Sequence, residues 1–482
     1  MRFVTRSPLW LDEALSVNIA RLPLGEITGA LEHDGHPPLY YVLLHGWMDL
    51  FGTGPVAVRS FSGLWALGLF PLVWVAARRL GGNRVATYAV ALLALSPFAI
   101  RYGTETRMYA MVSVLALAGW LLISDALVRP TRARLAAIAL ITGTLLWTHY
   151  WALWMLAAGG ISLVVHAARA RREHRSADLA ASRRVIAALV VGGMLFLPWL
   201  PTLLYQGTRT GTPWARPLRP TEMATATVAD LGGGALAEAV LLGWLLALVV
   251  GLGLFGKVAG RFEVTLDLRT RPEGRPFAIL IVGTLAIACV VGYATGATYA
   301  TRYASVFFPF VVLLAALGLD RLRSRPTVVG ALGVLLLLGG IGGVRNVVTD
   351  RTDARRSVTA IQADGLPGDW VVYCPDQLGP ATSRLLGPGF EQVTYPSFGA
   401  PQRVDWVDYK ERLAEASPGR FGAELLRRAQ GHKVFLVYSP TYTTHKKICP
   451  ELFNVLATKR VPESLSQLTD AVEPATVVVF TP

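Results

Sequence analysis

The sequence predicts a polytopic α-helical membrane protein, about ten transmembrane helices followed by a small extracytoplasmic α/β domain. Three observations predict it. The 482 residues are 53% hydrophobic and only 16% charged, with a mean hydropathy of +0.44, too apolar for an ordinary water-soluble chain. Apolar runs approaching 20 residues recur between residues 56 and 344, and the Lys and Arg residues gather in alternate loops between them. Beyond residue 348 charges return and apolar runs shorten, the pattern of a packed aqueous domain.

A bilayer core of about 30 Å needs about 20 mostly apolar helical residues, because unpaired backbone groups cost too much in hydrocarbon. Ten stretches are candidates: 56–77, 85–100, 108–128, 135–148, 152–168, 185–205, 236–256, 277–296, 304–319 and 327–344. Twenty Lys and Arg residues fall in the loops at 78–84, 129–134, 169–184, 257–275 and 321–325. The opposite loops hold only Arg101, Arg107, Arg209, Arg216, Arg219 and Arg302. That asymmetry places the basic set in the cytoplasm. The formal charge of +14 is therefore mainly a topology signal, and no nucleic-acid partner is expected. The bilayer itself is the partner the composition requires.

This orientation divides the chain into three parts. Residues 1–54 form an extracytoplasmic first loop with interfacial helices and acidic residues, 55–347 a transmembrane helical domain, and 348–482 an extracytoplasmic soluble α/β domain. In the last part, 370–373, 434–438 and 476–480 read as short buried strands, and 413–429 as a helical stretch interrupted at Pro418-Gly419. Residues 1–16 have no apolar run behind their arginines, so they do not read as a cleavable signal peptide. Cys289, Cys374 and Cys449 are too few for a disulfide scaffold and lack metal-site spacing. Cys374 and Cys449 both fall in the outer tail, where a bridge between them can persist, while Cys289 lies in a span.

Four outer segments carry chemistry-bearing residues. The first loop contains Trp10-Leu11-Asp12-Glu13-Ala14 and, after it, His33-Asp34-Gly35-His36-Pro37-Pro38-Leu39-Tyr40-Tyr41. Two amphipathic helices broken at Gly35-His36-Pro37-Pro38 would lie along the membrane surface, with their carboxylates at headgroup level. Asp12 and Glu13 suit such a site, and equally suit the N-terminus of any helix, where the dipole favours acids. The next loop, Arg101 to Tyr109, holds Glu105, Arg107 and Tyr109, either as site residues or as a solvated loop with an interfacial tyrosine. His149 lies at a third junction, as a ligand or as a satisfied polar residue. Arg302 and Tyr303 head a span, where Arg302 either snorkels or clamps a phosphate with its fork of donors.

The combination is more specific than its parts. Trp10 to Ala14, the run from Asp34 to Tyr41, Arg59 opening the next span, Glu105-Thr106-Arg107-Met108-Tyr109, and Arg302-Tyr303 with Pro309 beyond resemble the GT-C superfamily of membrane glycosyltransferases. The resemblance is to the protein O-mannosyltransferase and aminoarabinose-transferase type, glycosyltransferase family 39, and covers roughly residues 9–319. It implies a GT-C-like fold and transfer of a sugar from a polyprenyl-phosphate donor to a glycan, lipid or protein hydroxyl, with inversion. It assigns Asp12 as general base, supported by Glu13 and Asp34, with Arg302 and Arg107 at the donor phosphate. His36, Tyr40, Arg59, Glu105, Tyr109, His149 and Tyr303 are the other site candidates it marks. Some relatives bind a divalent metal, for which Glu105 and His149 are possible ligands here, although neither spacing nor composition establishes one. The chemistry makes its own demands, since a hydroxyl nucleophile needs a carboxylate within hydrogen-bond reach and a departing phosphate needs fixed positive charge.

Similar proteins carry a span before the Trp-x-Asp-Glu-Ala motif, so either a ten-span variant or a start site placed too far downstream is expected. About 20 apolar codons upstream would identify the second case. The Arg-over-Lys and Ala/Gly bias suits a GC-rich genome and a decaprenyl-phosphate arabinose or mannose, but no residue names the sugar. Two other classes compete. A flippase or carrier of a lipid-linked sugar would place acids near the bilayer midplane, whereas Asp125, Glu238 and Asp320 stand near span ends. A scaffold would explain the tail and leave the acidic first loop without a purpose.

Overall fold

The computed structural model describes residues 2–210, 217–296, 298–442 and 444–482, so Arg216 lies outside the described residues. The chain opens with three short helices, α1 (Leu11–Ala20), α2 (Leu24–Glu32) and α3 (Leu39–Phe51). Gly35, at φ +85°, turns the chain between α2 and α3, a conformation only glycine adopts freely. The membrane domain follows as α4 (Pro55–Leu95), α5 (Pro97–Thr104), α6 (Tyr109–Val128), α7 (Arg132–Thr148), α8 (Ala152–Arg172), α9 (Ser176–Met194), α10 (Leu200–Arg209), α11 (Pro220–Leu231) and α12 (Ala237–Phe255). A two-stranded hairpin, β1 (Gly256–Val258) and β2 (Val264–Leu266), leads to α13 (Arg275–Thr295), α14 (Phe308–Leu319) and α15 (Arg325–Val348).

Seven helices among the described residues are long and apolar enough to cross a membrane, against the ten stretches expected. The 56–77 stretch and residues 85–95 of the next share the 41-residue α4, which loses helical geometry at Gly81 and Gly82, and the rest of the second stretch passes into α5. A straight helix of that length would run about 60 Å, twice the bilayer core. Instead the second limb returns: Arg2, which lies over Phe70 of the first limb, donates to the Leu93 carbonyl of the second at 2.7 Å. The 135–148 stretch is α7, of 17 residues. The 304–319 stretch becomes a short 3₁₀ turn and the 12-residue α14, whose every residue is buried. Such a helix rises only about 18 Å. It is apolar because it is the centre of the bundle, packed on α4 and α12. Gly318 lets α14 approach α12 closely, since a Cβ there would fall 1.8 Å from the Val249 carbonyl.

The two ends of the bundle differ in chemistry. At one, beside the α4 break, Arg79 pairs with Asp125 at 2.7 Å and Arg84 with Asp320 at 2.7 Å. Two of the span-end acids are thus held by arginines. At the other end lie α1 to α3, the 105–108 loop, the turn carrying Arg302, and the tail.

The tail is a small α/β unit. After α16 (Ala354–Asp364) come β3 (Trp370–Cys374), α17 (Gly379–Leu386), β4 (Glu391–Thr394), α18 (Tyr409–Glu415), α19 (Pro418–Ala429), β5 (Val434–Tyr438), α20 (Ile448–Ala457), β6 (Val461–Ser464) and β7 (Thr476–Thr481). The sheet order is β4-β3-β5-β7-β6, with β3 parallel to β4 and β5, and β7 antiparallel to both its neighbours. Both faces are covered: Val372, Leu436 and Val478 pack with Phe421 and Leu452, while Val371, Phe435 and Val477 pack with Val358 and Ile361. That is why these strands read as unbroken apolar runs. The edge strands β4 and β6 lack this signal, β6 being exposed along its length and containing Pro462. Pro418 interrupts one helix by starting another, with Ser417 accepting the Arg420 N–H as N-cap. Cys374 and Cys449 are disulfide-bonded, tying the end of β3 to α20.

Candidate active site

The first turn of α1 sends its two acids to different places, because successive helical residues point about 100° apart. Glu13 turns inward to Arg59 of α4, which donates to its two oxygens at 2.8 and 2.6 Å. Glu13 also accepts the Thr106 N–H at 3.1 Å, and Arg59 donates as well to the Ser7 and Pro8 carbonyls. Burial pushes the Glu13 carboxyl up, but Arg59, Arg351 and the Thr106 N–H together hold it below the ordinary carboxylate range. Its oxygens are occupied, and it joins α1, α4 and the 105–108 loop. Asp12 turns the other way, its Oδ2 lying 3.4 Å from Nη1 of Arg302.

Behind Asp12 is a second network. His36 Nδ1 meets Asp34 at 2.9 Å, Tyr41 donates to the same oxygen at 3.1 Å, and Arg107 lies 2.8 Å from His36 Nε2. Because arginine only donates, His36 carries its proton on Nδ1 here. Burial raises the Asp34 carboxyl, and His36, Arg107 and Tyr41 bring it below its usual value. Arg107 also donates to Ser16 Oγ at 3.0 Å and to Tyr41 at 3.1 Å, leaving its Nε without a partner among the described residues. Tyr40 supports it indirectly: its hydroxyl meets Ser62 at 2.8 Å, and Ser62 donates to the Arg107 carbonyl at 3.0 Å.

The remaining candidates stand close to these two networks. His149 sits edge-on to Tyr303, ring centres 5.2 Å apart, and 5.9 Å from Tyr109. Its Nδ1 accepts the Trp151 N–H at 3.0 Å, which leaves Nε2 as the protonated position. Burial, with Arg107 and Arg302 near, drives its pKa well below the usual histidine value, so it is a neutral donor. Glu105 is fully buried between Arg101 at 3.6 Å and Arg351 at 3.5 Å, and burial raises its carboxyl despite them. Among the described residues, Asp12 Oδ2, Glu105, Tyr109 Oη, His149 Nε2, Arg302 Nε and Trp10 Nε1 are buried without a hydrogen-bond partner. Native interiors leave few buried polar groups unpaired, so each of these calls for a partner such as water, an ion or a polar ligand. No three His, Cys, Asp or Glu side chains among the described residues are placed to hold a metal ion.

Sequence reasoning missed Tyr41, Ser16, Arg351 and Glu473. Tyr41 stood beside Tyr40 in the motif, and Ser16 four residues after Asp12 on the same helical face. Arg351 and Glu473 carry no local signal, because only the tertiary fold brings the tail to α1.

Residues 35–200 match the family described as Dolichyl-phosphate-mannose-protein mannosyltransferase. ArnT of Cupriavidus metallidurans superposes with a TM-score of 0.60 at 14% identity, covering 99% of this chain and 95% of that one. The same protein bound to undecaprenyl phosphate gives 0.59 at 15% identity over the same shares. The Archaeoglobus fulgidus oligosaccharyltransferase tethered to an acceptor peptide gives 0.50 at 12% identity, covering 96% of this chain and 69% of that one. No curated protein matches the chain. The chain shares its overall fold with these proteins, and seven of its described helices are long and apolar enough to cross a membrane. Its more particular likeness is to the mannosyltransferase family named above, over the segment that holds His36, Arg59, Glu105, Arg107 and His149.

Proposed function

We propose that this protein moves a sugar from a polyprenyl phosphate to a hydroxyl of a glycan, lipid or protein, on the extracytoplasmic side and with inversion, Asp12 acting as general base. The observation that carries this reading is the Asp12–Arg302 pair, 3.4 Å apart, near other buried polar groups that have no hydrogen-bond partner among the described residues. The contact is a charge contact longer than a good hydrogen bond, so both groups keep free capacity. A donor phosphate at Arg302 takes over the guanidinium and leaves the Asp12 oxygen to accept the acceptor's proton. As the phosphate departs, Arg302 meets its growing charge, and the neutral donors His149 Nε2–H and Tyr109 O–H are at hand. Supporting the polyprenyl donor is the fold shared with a protein solved with undecaprenyl phosphate. Supporting the side is the arginine asymmetry, with the site at the end opposite Arg79 and Arg84.

Arg302→Lys tests the donor half. Lysine keeps the charge and loses the planar fork, so donor kcat/KM falls at least about tenfold while acceptor KM holds. Unchanged donor kinetics in both Arg302→Lys and Arg302→Ala would leave Arg302 a snorkelling residue.

A further inference from the structure

The tail reaches the site's elements at two points. Arg351, three residues beyond α15, donates to Thr104 at 3.0 Å and lies 3.5 Å from Glu105. Its backbone N–H donates to Ser7 Oγ at 2.8 Å. Its carbonyl accepts the Glu473 N–H at 2.9 Å, and Asp353 N–H returns a bond to the Glu473 carbonyl at 3.1 Å. Carried on this bridge, Glu473 reaches the start of α1, where its Oε2 accepts the Leu11 N–H at 3.3 Å. Leu11 is the residue before Asp12.

Helix α1 needs that carboxyl. Its N-cap is Trp10, whose side chain makes no capping bond and has no acceptor to offer. The first N–H groups of a helix are otherwise met by Ser, Thr, Asp or Asn at this position. Glu473 supplies from the tail what the local sequence omits. It is only 2% exposed, and its Oε1 has no hydrogen-bond partner among the described residues. We propose that Glu473 is a positioning residue of the transfer site, holding the first turn of α1 and through it Asp12, which makes the tail a working part of the site. The inference rests on Asp12 being the base.

The groups facing the Glu473 carboxyl are Asp12 and the Leu11 N–H on α1, Thr352 and Asp353 before α16, and Tyr442 after β5. Burial, with Asp12 and Asp353 adding to it, pushes the Glu473 carboxyl up to about 8. Below that pH it is a neutral acid; above it, its charge repels that of Asp12 and pulls against the turn that carries it, although the helix end itself favours a carboxylate. Wild-type activity therefore has an alkaline limb that Glu473→Gln, which cannot ionise, removes.

The experiment uses the full chain in lipid nanodiscs, with transfer kinetics across pH and amide exchange at residues 11–14 measured without donor. Glu473→Ala is expected to speed exchange at those amides and to lower kcat by up to roughly 10²-fold, the cost of a misplaced group, while donor KM stays. Glu473→Gln keeps kcat near wild type at pH 6.5 and loses the alkaline limb. Unchanged kcat and exchange in Glu473→Ala, or an intact limb in Glu473→Gln, would overturn the proposal. If Glu473→Ala fails to fold, the Gln variant's pH profile decides alone. If the wild type transfers no sugar, the functional reading fails, and the exchange data still decide whether Glu473 holds α1.

Discussion

Replacing Asp12 with asparagine is expected to lower the rate of sugar transfer by roughly 10²- to 10⁴-fold, the usual contribution of a positioned general base. The substitution is nearly isosteric and removes the ability to take a proton. Among the described residues Asp12 has one ion-pair partner, at 3.4 Å, and an oxygen without a hydrogen bond, so little of the fold depends on it. Its loss should therefore appear in kcat, with thermal stability close to wild type. Because Arg302 loses a competing anion, donor KM should fall or hold. Near-normal turnover of Asp12→Asn would remove Asp12 from the role.

The neighbouring acid has the opposite profile. Glu13→Ala leaves the Arg59 guanidinium buried without its counter-charge, an arrangement that costs about 3–5 kcal/mol when a buried pair is broken from one side. Glu13 is fully buried and Arg59 is 2% exposed, so solvent offers no substitute. A large fall in the melting temperature of the detergent-purified protein is the expected result. The double variant Glu13→Leu, Arg59→Met removes both charges and should recover much of the loss, though the Thr106 N–H and the Ser7 and Pro8 carbonyls forfeit their partners. A Glu13→Ala variant as stable as wild type would show that this pair does not hold the site together. Glu13's depressed carboxyl gives the matching pH sign. The stabilisation is present above the unfolded carboxylate pKa and is lost as pH falls through the lower folded value.

This contrast between adjacent residues shows where sequence reasoning reached and stopped. Asp12 and Arg302 were legible because each stands in a motif at the outer head of a helix. The separate destinations of Asp12 and Glu13 were not, since they depend on which partner each 100° step meets. Arg59 was marked by its place at the start of a span, but its ion pair is a product of packing α1 on α4. The membrane character was plain in the apolar runs, whereas the count of spans was not. Hydropathy cannot separate a 12-residue helix buried in protein, such as α14, from one facing lipid. In the tail, the three central strands announced themselves by continuous apolar runs, and the polar edge strands β4 and β6 did not. Glu473 lies 462 positions from the amide it binds, and no local pattern links them.

The most direct test of the account is a transfer assay with purified protein, a labelled polyprenyl-phosphate sugar and a panel of hydroxyl acceptors, with product anomer read by NMR. The expected result is acceptor-dependent loss of sugar from the lipid, inversion at the anomeric carbon, and near-abolition of transfer by Asp12→Asn. Passage of the intact lipid-linked sugar across the bilayer, with no sugar transferred to any acceptor, would contradict it.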